Sequence, residues 1–519
     1  MQRSIAHATH AAHATHAARA GCRSGPGLSG VNVTRSALGH SDFMQTRENP
    51  PQEEPLESRP ADAPLSEALL RGMDLPGPRY TSYPTADRYV EAFGAAEYRR
   101  ALRQRALMNS AAPLSVYVHI PFCEALCYYC ACNKIITKNK SRGGEYLVDL
   151  QCELNLHVGE LGRGQWVSQL HLGGGSPTFL SDEELAELLA MLRAAFRLQP
   201  EAEMSIEVDP RTASRERLRR LSAMGFNRIS FGVQDFDLAV QLAVHRVQPF
   251  DGVRELVQEA QSLGFASINA DLIYGLPKQT PESFRRTIAQ VAELRPTRIA
   301  LYAYAHLPQR FKPQRRIDEQ ALPSAGQRLQ MLRDGISGFL AHGYHYIGMD
   351  HFALPDDALA VAKRQGRLHR NFQGYTTQPD QDLIALGVSA IGRVGATYSQ
   401  NAKTLAEYHD ALAQGQFPVM RGLALTRDDI VRRAIIMALM CQGRVNFESI
   451  ESAHLLNMHE SFASEFERLK PLQEAGLVEV NEQEIQVTAT GWFFVRAVAM
   501  VFDRHLQADS ARERFSRII

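Results

Sequence analysis

Cys123, Cys127 and Cys130 stand in the order C-x3-C-x2-C within the stretch from His119 to Cys130. Iron–sulfur clusters are held by cysteine thiolates, and a tight loop can aim three of them at three corners of a [4Fe–4S] cubane. The fourth iron is then left open. Such a site can take the amino and carboxylate groups of S-adenosylmethionine and pass an electron to its sulfonium, giving methionine and a 5′-deoxyadenosyl radical. Zinc is the competing chemistry, because Cys127-x2-Cys130 alone has zinc-knuckle spacing. No second Cys or His pair stands at finger or ribbon distance, and the three-residue gap is unusual for zinc, which favours the cluster. Cys132 is near the site but unassigned, since a ligand there would close the open iron.

Further chemistry lies downstream. Gly173-Gly174-Gly175-Ser176-Pro177-Thr178 is a loop whose side-chain-free backbone could approach a ligand closely, although many glycine runs are only tight turns. Glu207, Asp209, Gln234, Asp235 and Asp271 fall at or near the ends of apolar runs. Each carboxylate taken alone could be a solvated loop residue or a helix cap, the reading accepted for Asp235. Arg246 reads either as an exposed helix charge or as the partner of a carboxylate.

The elements that must position these groups are βα units. From Leu114 onward short apolar or β-branched runs alternate with amphipathic stretches. Strands are expected at Leu114–Ile120, Gln169–Leu172, Met204–Val208, Arg228–Val233, Ile268–Ile273 and Arg298–Tyr304. Helices are expected at Asp182–Phe196, with Leu185, Leu188, Leu189 and Leu192 on one face, and at Pro281–Leu294. The fold class is therefore α/β, a partial (β/α)6 barrel whose functional groups gather at the C-terminal ends of its strands. The cysteine motif follows the first strand and the glycine run the second. After Thr426, helices near Asp428–Cys441 and Met458–Ala475 precede Leu477–Val480, a turn, and Ile485–Thr488, which predicts a small, mostly helical, winged-helix-like module. The expected divisions are a leader and linker (1–76), an ordered segment near the substrate (77–110), the barrel (111–360), a substrate-site and connecting segment (361–425) and the helical module (426–519).

Composition narrows the partners. Fifty-seven basic and 57 acidic residues cancel, so nothing favours nucleic acid or an anionic membrane, and no apolar run is long enough to span one. Four of the seven cysteines lie between 123 and 132, unlike a secreted disulfide framework, which points to a reducing compartment, the cytoplasm. The first 43 residues repeat Ala-His-Ala-Thr-His-Ala and carry four Arg against one acidic residue. They read as a His-rich metal tract, an organellar transit peptide or, the favoured reading, an extension ahead of a natural start at Met44.

From about Pro78 onward the chain resembles the oxygen-independent coproporphyrinogen III oxidase (dehydrogenase) family of the radical S-adenosylmethionine superfamily. The carrying motifs are Pro78–Thr85 (PRYTSYPT), Tyr117–Cys132, Gly173–Thr178, Ser205–Pro210 (SIEVDP), Gly232–Phe236 (GVQDF), Asp271–Pro277 (DLIYGLP), Gly348–Ala353 (GMDHFA) and His369–Thr377 (HRNFQGYTT). The resemblance implies that two propionates of coproporphyrinogen III are oxidatively decarboxylated to vinyl groups, giving protoporphyrinogen IX in haem biosynthesis. It further implies two S-adenosylmethionine molecules per site, with Cys123, Cys127, Cys130 and Tyr117 as the catalytic group. Carried over by position, the first molecule meets Tyr117, Gly174, Glu207 and Ile391. The second meets Tyr129, Gly175, Ser176, Gln234, Arg246, Asp271 and Ala305. Ser176 replaces a common Thr, Tyr129 a common Phe and Ala131 a Gly of some relatives. Arg79, Tyr80, His369, Arg370, Asn371 and Gln373 are candidates for the substrate's carboxylates. A small reductant protein such as a flavodoxin and a monomeric chain are also implied. A haem-trafficking relative would keep the cluster but lack PRYTSYPT and HRNFQGYTT, both present here.

Overall fold

Six strands line up in chain order, each parallel to the next: β1 (Leu114–Ile120), β2 (Gln165–Gly174), β3 (Phe196–Val208), β4 (Arg228–Gln234), β5 (Ser267–Tyr274) and β6 (Arg298–Ala303). In this computed structural model residues 76–108 and 112–507 are described, together with 69, 72 and 73. The leader at 1–43 and nearly all of the linker lie outside the described residues. Helices Ser141–Leu161, Asp182–Ala195, Arg215–Ala223, Phe250–Ser262 and Pro281–Leu294 form the crossovers. Leu185, Leu188, Leu189 and Leu192 are all buried on one face of the second. That helix starts where Ser181 Oγ accepts from Glu184 N–H and Glu184 returns a carboxylate oxygen to Ser181 N–H. It stops at Ala195, one residue before the expected end, because Phe196 opens β3.

Two strands begin earlier than their apolar patterns suggest. Gln165–Val167 pairs with Phe196–Leu198 ahead of the expected starts, and the ladder shifts register between Val167 and Gln169. The early pieces are short, and Gln199-Pro200-Glu201 separates the second of them from its apolar run, so no continuous strand pattern shows there.

The sheet also extends past the expected six strands, to twelve. β7 (His345–Gly348) and β8 (His351–Ala353) add an antiparallel pair to β6. At the other edge β9 (Leu383–Leu386) runs parallel to β1, followed by β10 (Ile391–Val394), β11 (Thr397–Asn401) and β12 (Val419–Ala424) in antiparallel order. The sheet's two edges do not pair with each other, so the barrel is open. The segment expected to connect thus supplies four of the strands.

Glu153, buried on helix Ser141–Leu161, clamps that added edge. Its carboxylate accepts from Gly387 N–H at 2.7 Å, Asn401 Nδ2 at 2.7 Å and the Tyr408 hydroxyl at 2.6 Å. Glu153→Ala leaves the Gly387 amide and the Tyr408 hydroxyl without this acceptor and Asn401 Nδ2 with only Gly387 O, and each buried donor so stranded costs about 1–3 kcal/mol. The variant is expected to lose several kcal/mol of stability, read as a lower urea midpoint; a loss below 1 kcal/mol would contradict the clamp.

The 77–110 segment divides between two cores. Tyr80 and Tyr83 are buried in the C-terminal module, where the Tyr80 hydroxyl donates to Asp503 Oδ2 at 3.0 Å. Helix Ala95–Leu107 packs on the barrel through Tyr98, whose hydroxyl lies 3.0 Å from His157 Nε2.

The module itself has helices Arg427–Gln442, Phe447–His454, Met458–Ser461 and Ala463–Glu474, with Glu484–Val487 paired between Arg444–Asn446 and Val478–Val480. The single helix expected at 458–475 is broken at Phe462, whose backbone leaves helical geometry while its side chain is buried in the core. Among the described residues no helix is long and apolar enough to cross a membrane.

Candidate functional site

A cavity of about 1170 Å³ runs through the inside of the barrel, lined by β1 to β6 and by loops at their C-terminal ends. It exceeds the usual range for one small ligand, roughly 300–1,000 Å³. Of the expected site residues Tyr117, Cys123, Cys127, Tyr129, Gly174, Gly175, Ser176, Glu207, Gln234, Arg246, Asp271 and Ile391 line it. Cys130 and Ala305 lie off the wall itself.

The cysteine loop is braced by its neighbours. Phe122–Cys123 pairs with Ile135–Ile136, while Gly175 N–H donates to Ile120 O and Ser176 N–H to Phe122 O, both at 2.8 Å. A Cβ on Gly175 would lie 2.7 Å from Phe122 O, so the glycine permits the approach of the two loops. Burial pushes the Cys123 thiol up to about 12, with Cys130 and Cys127 adding to it against a Ser176 hydrogen bond. Cys130 is drawn down to about 6, chiefly by a hydrogen bond from Cys132 and, against burial, by Lys134. Cys132 thus lies beside Cys130 and raises its acidity.

Cys127 Sγ accepts from Arg211 Nη2 and Arg246 Nη1, each at 3.4 Å. Arg246 is buried and pairs with Asp209 at 3.2 Å, so it is not an exposed helix charge. Its remaining Nη2–H donates to Gly232 O at 2.7 Å, while Nε is buried without an acceptor among the described residues. Burial pushes the Asp209 carboxyl up, but Arg211 and Arg246 outweigh it and hold the carboxyl below its ordinary range. Cysteine donors facing cations, and an orphaned guanidinium N–H on the same cavity, fit an anionic iron–sulfur cluster beside a carboxylate-bearing ligand. Among the described residues no three His, Cys, Asp or Glu side chains group around a single ion. A cubane takes one thiolate at each corner and needs no such convergence.

The opposite wall is a chain of hydrogen bonds. Glu207 Oε2 accepts from Gly174 N–H at 3.0 Å, and Oε1 lies 3.4 Å from His171 Nε2. His171 Nδ1 meets Ser205 Oγ at 2.6 Å, and its ring stacks on Tyr117. Burial pushes the Glu207 carboxyl up, but the hydrogen bond and charge of His171 and the Gly174 amide hold it below its ordinary range. His119 Nε2–H donates to Asn133 O at 3.0 Å, leaving Nδ1 to accept from the Tyr117 hydroxyl at 3.0 Å. Burial lowers this imidazole, so it stays neutral. Ile391 reaches the same mouth because Ala385 of β9 lies opposite Tyr117 of β1 and the chain turns back after it.

Asp271 accepts from Ser230 Oγ and Asn269 Nδ2, both at 2.9 Å. Burial raises its carboxyl to about 6, despite these bonds, and Glu207 adds to the rise. The folded chain thus binds this proton more tightly than the unfolded chain. Stability from this group is greatest below pH 4 and falls as pH rises to about 6, by up to about 3 kcal/mol at about 1.4 kcal/mol per pH unit. Asp271→Asn is expected to raise the melting temperature of the ligand-free chain at pH 8 and not at pH 4. Equal effects at both pH values would contradict this assignment.

Some expected residues fall elsewhere. Asp235 is neither solvated nor on the cavity; it is buried and accepts from Gln279, Thr287 and Asp237 N–H. Tyr80 also leaves the site for the C-terminal core. Arg79 pairs with Asp350 at 2.8 Å and lies over Tyr302, a cavity residue. Gln373 lines the cavity with its Nε2 unpartnered among the described residues, whereas His369, Arg370 and Asn371 line a separate water-sized void.

Sequence reasoning missed His171, Ser205, Ser230, Asn269 and Arg211. Two of them precede a recognised site position by two residues: Ser205 precedes Glu207 and Asn269 precedes Asp271. The period of two along an inward strand face was the available signal.

Comparisons with known proteins agree with this geometry. Residues 117–291 match the model of the Radical SAM superfamily, and residues 425–494 that of the HemN C-terminal domain. The chain is 48% identical over 453 residues to oxygen-independent coproporphyrinogen III oxidase of Pseudomonas aeruginosa, covering 87% of this chain and 98% of the relative. It is 47% identical over 452 residues to the protein of the same name from Escherichia coli strain K12, again with 87% and 98% coverage. The solved structure of coproporphyrinogen III oxidase (HemN) from Escherichia coli, described as a radical SAM enzyme, superposes with a TM-score of 0.80 at 47% identity, covering 85% of this chain and 98% of that one.

Proposed function

Because the chain belongs to the oxygen-independent coproporphyrinogen III oxidase family, we propose that this cavity holds a [4Fe–4S] cluster on Cys123, Cys127 and Cys130 beside two S-adenosylmethionine molecules. The chain is a radical S-adenosylmethionine oxidoreductase, and its substrate is coproporphyrinogen III. When bound, these groups would supply one electron and the carbon radical that takes a hydrogen from a propionate β-carbon; the substrate radical would then release carbon dioxide and pass one electron to a one-electron acceptor, leaving a vinyl group. Two such events give protoporphyrinogen IX.

This chain's residues orient the reactants. The Gly173–Gly175 backbone lies open beside the cysteine loop. Glu207, fixed by His171 and Gly174, presents a carboxylate to the cationic amino group of the first S-adenosylmethionine, flanked by Tyr117 and Ile391. The orphaned Arg246 Nε–H meets an acceptor of the second, which also contacts Tyr129, Gly175, Ser176, Gln234, Asp271 and Ala305. Gln373, through its unpartnered Nε2, holds a substrate carboxylate, while Arg79 and Arg370 add positive charge from behind the wall. Residues 111–360 carry the chemistry, with 77–110 and 361–425 completing the walls and 426–519 as the cover. The chain acts as a cytoplasmic monomer and takes its electrons from a small reductant protein such as a flavodoxin.

The observation that carries this reading is the meeting of the cysteine loop, the glycine cradle and Glu207 on one cavity too large for a single small ligand. The test is anaerobic reconstitution with S-adenosylmethionine, coproporphyrinogen III and a reductant. Carbon dioxide, 5′-deoxyadenosine and protoporphyrinogen IX are expected, with two S-adenosylmethionine molecules bound per chain by equilibrium dialysis. Cleavage of S-adenosylmethionine without decarboxylation would sink the substrate, and one molecule bound per chain would sink the paired site.

A further inference from the structure

Two segments outside the barrel mouth are fastened around Tyr128 and Tyr129, the residues between Cys127 and Cys130. Short helix Leu238–Ala243 and the turn after it are tied to the cysteine loop where Tyr128 N–H donates to Val244 O at 3.0 Å and His245 Nδ1–H to Leu126 O at 2.8 Å. The His245 ring stacks on Tyr128. The turn Lys312–Arg316 is tied by buried Gln314, whose Nε2 donates to Tyr129 O at 3.0 Å and to Ala305 O at 3.1 Å. Val240, Val244 and Ile317 then share one small core with Tyr128 and Tyr129.

The outer face of this unit is unusual in charge and polarity. Lys312, Arg315 and Arg316 are exposed, and none forms an ion pair with a carboxylate among the described residues; the Arg316 guanidinium lies over the Tyr128 ring at 5.4 Å. Of the acidic groups close by in the chain, Asp237 pairs with Arg286, whereas Asp318, bonded to the Gln320 amide, and Glu319, beside His306, are exposed at the end of the rim. Leu238 and Leu242, one helical turn apart, are about 60% exposed. A chain with no net charge thus shows a cationic rim with apolar residues on the same unit, one residue from two cluster ligands.

We propose that this face is the docking surface of an acidic one-electron carrier protein. The inference rests on the cluster assignment above. In each transfer the carrier is oxidised by one electron and the cluster reduced by one, so the carrier must come close to the cysteine loop. An acidic partner gains rate from the unpaired cations, typically tenfold or more at low salt, and short-range affinity from the exposed leucines.

The test uses the cluster-loaded full chain, a reduced acidic flavodoxin as probe, and the variant K312E/R315E/R316E. Stopped-flow bleaching of the cluster's visible absorption reads the electron transfer. The second-order rate constant is expected to fall roughly tenfold or more, with the wild-type dependence on ionic strength flattened, while dithionite reduces both chains equally. A fall of less than about threefold, or an equal fall with dithionite, overturns the proposal. Calorimetric binding of the same flavodoxin to the cluster-free chain gives a second readout, expected to weaken in the variant and overturning the proposal if unchanged. Failure of the cluster assignment itself would show separately, as no dithionite-driven S-adenosylmethionine cleavage by the wild type.

Discussion

Cys123→Ala is expected to give a folded chain that assembles no [4Fe–4S] cluster, cleaves no S-adenosylmethionine and forms no protoporphyrinogen IX. The fold survives because the loop is held by backbone: Ile135 N–H donates to Pro121 O at 2.7 Å and Thr137 N–H to Cys123 O at 2.9 Å, independently of the thiol. The cluster does not survive, because two thiolates cannot fix a cubane that otherwise offers one open iron. Circular dichroism checks the fold, iron and sulfide content with visible absorption check the cluster, and assay of 5′-deoxyadenosine and protoporphyrinogen IX checks the activity. Cys132→Ser supplies the contrast. The proposed ligand set leaves Cys132 out, so the variant is expected to retain wild-type iron. Iron retained in Cys123→Ala but lost in Cys132→Ser would reverse the ligand assignment.

Glu207→Gln carries the second large effect. The amide oxygen can still accept from Gly174 N–H, so the local fold is preserved, but the negative charge facing the cavity is gone. A hydrogen bond to a charged group contributes about 1.5–3 kcal/mol, so S-adenosylmethionine affinity should weaken on the order of 10- to 100-fold. Decarboxylation at fixed S-adenosylmethionine concentration should fall with it. Because the carboxyl is held below its ordinary range, the wild type should keep this affinity down to about pH 5, whereas the variant should be weak throughout. Titration of the cluster-loaded protein with S-adenosylmethionine at several pH values decides it. An affinity within twofold of the wild type would remove Glu207 from the first site. His171→Phe, which leaves the carboxylate without its ring partner, should give a smaller loss of the same kind.

Much of the site was legible because its chemistry is local. Three cysteines within eight residues declare a cluster, and a glycine run after a strand declares close backbone approach; both follow from residue types and spacing alone. Glu207 and Asp271 were legible as polar interruptions of apolar strands. Less visible were the groups that bond to them, since a lone Ser, Asn or His on a strand carries no pattern. Asp235 misled for the opposite reason. Its neighbours in sequence suggest a solvated turn, whereas its partners Gln279 and Thr287 come from another βα unit and bury it.

The sequence by itself determined the alternation of strand and helix, the three-cysteine spacing and the order in which strand ends deliver polar groups, because these depend on periodicities of two and 3.6 residues and on chemistry confined to a short segment. Only the tertiary structure decided that the sheet extends past six strands, that Arg246 joins Asp209 and Cys127, that Tyr80 belongs to a second core and that Ile391 meets Tyr117's wall. Each of those facts depends on contacts between residues far apart in the chain, which no local pattern encodes. The cluster loop could be recognised from eight residues; what surrounds it, inside and out, required the packing of the whole barrel.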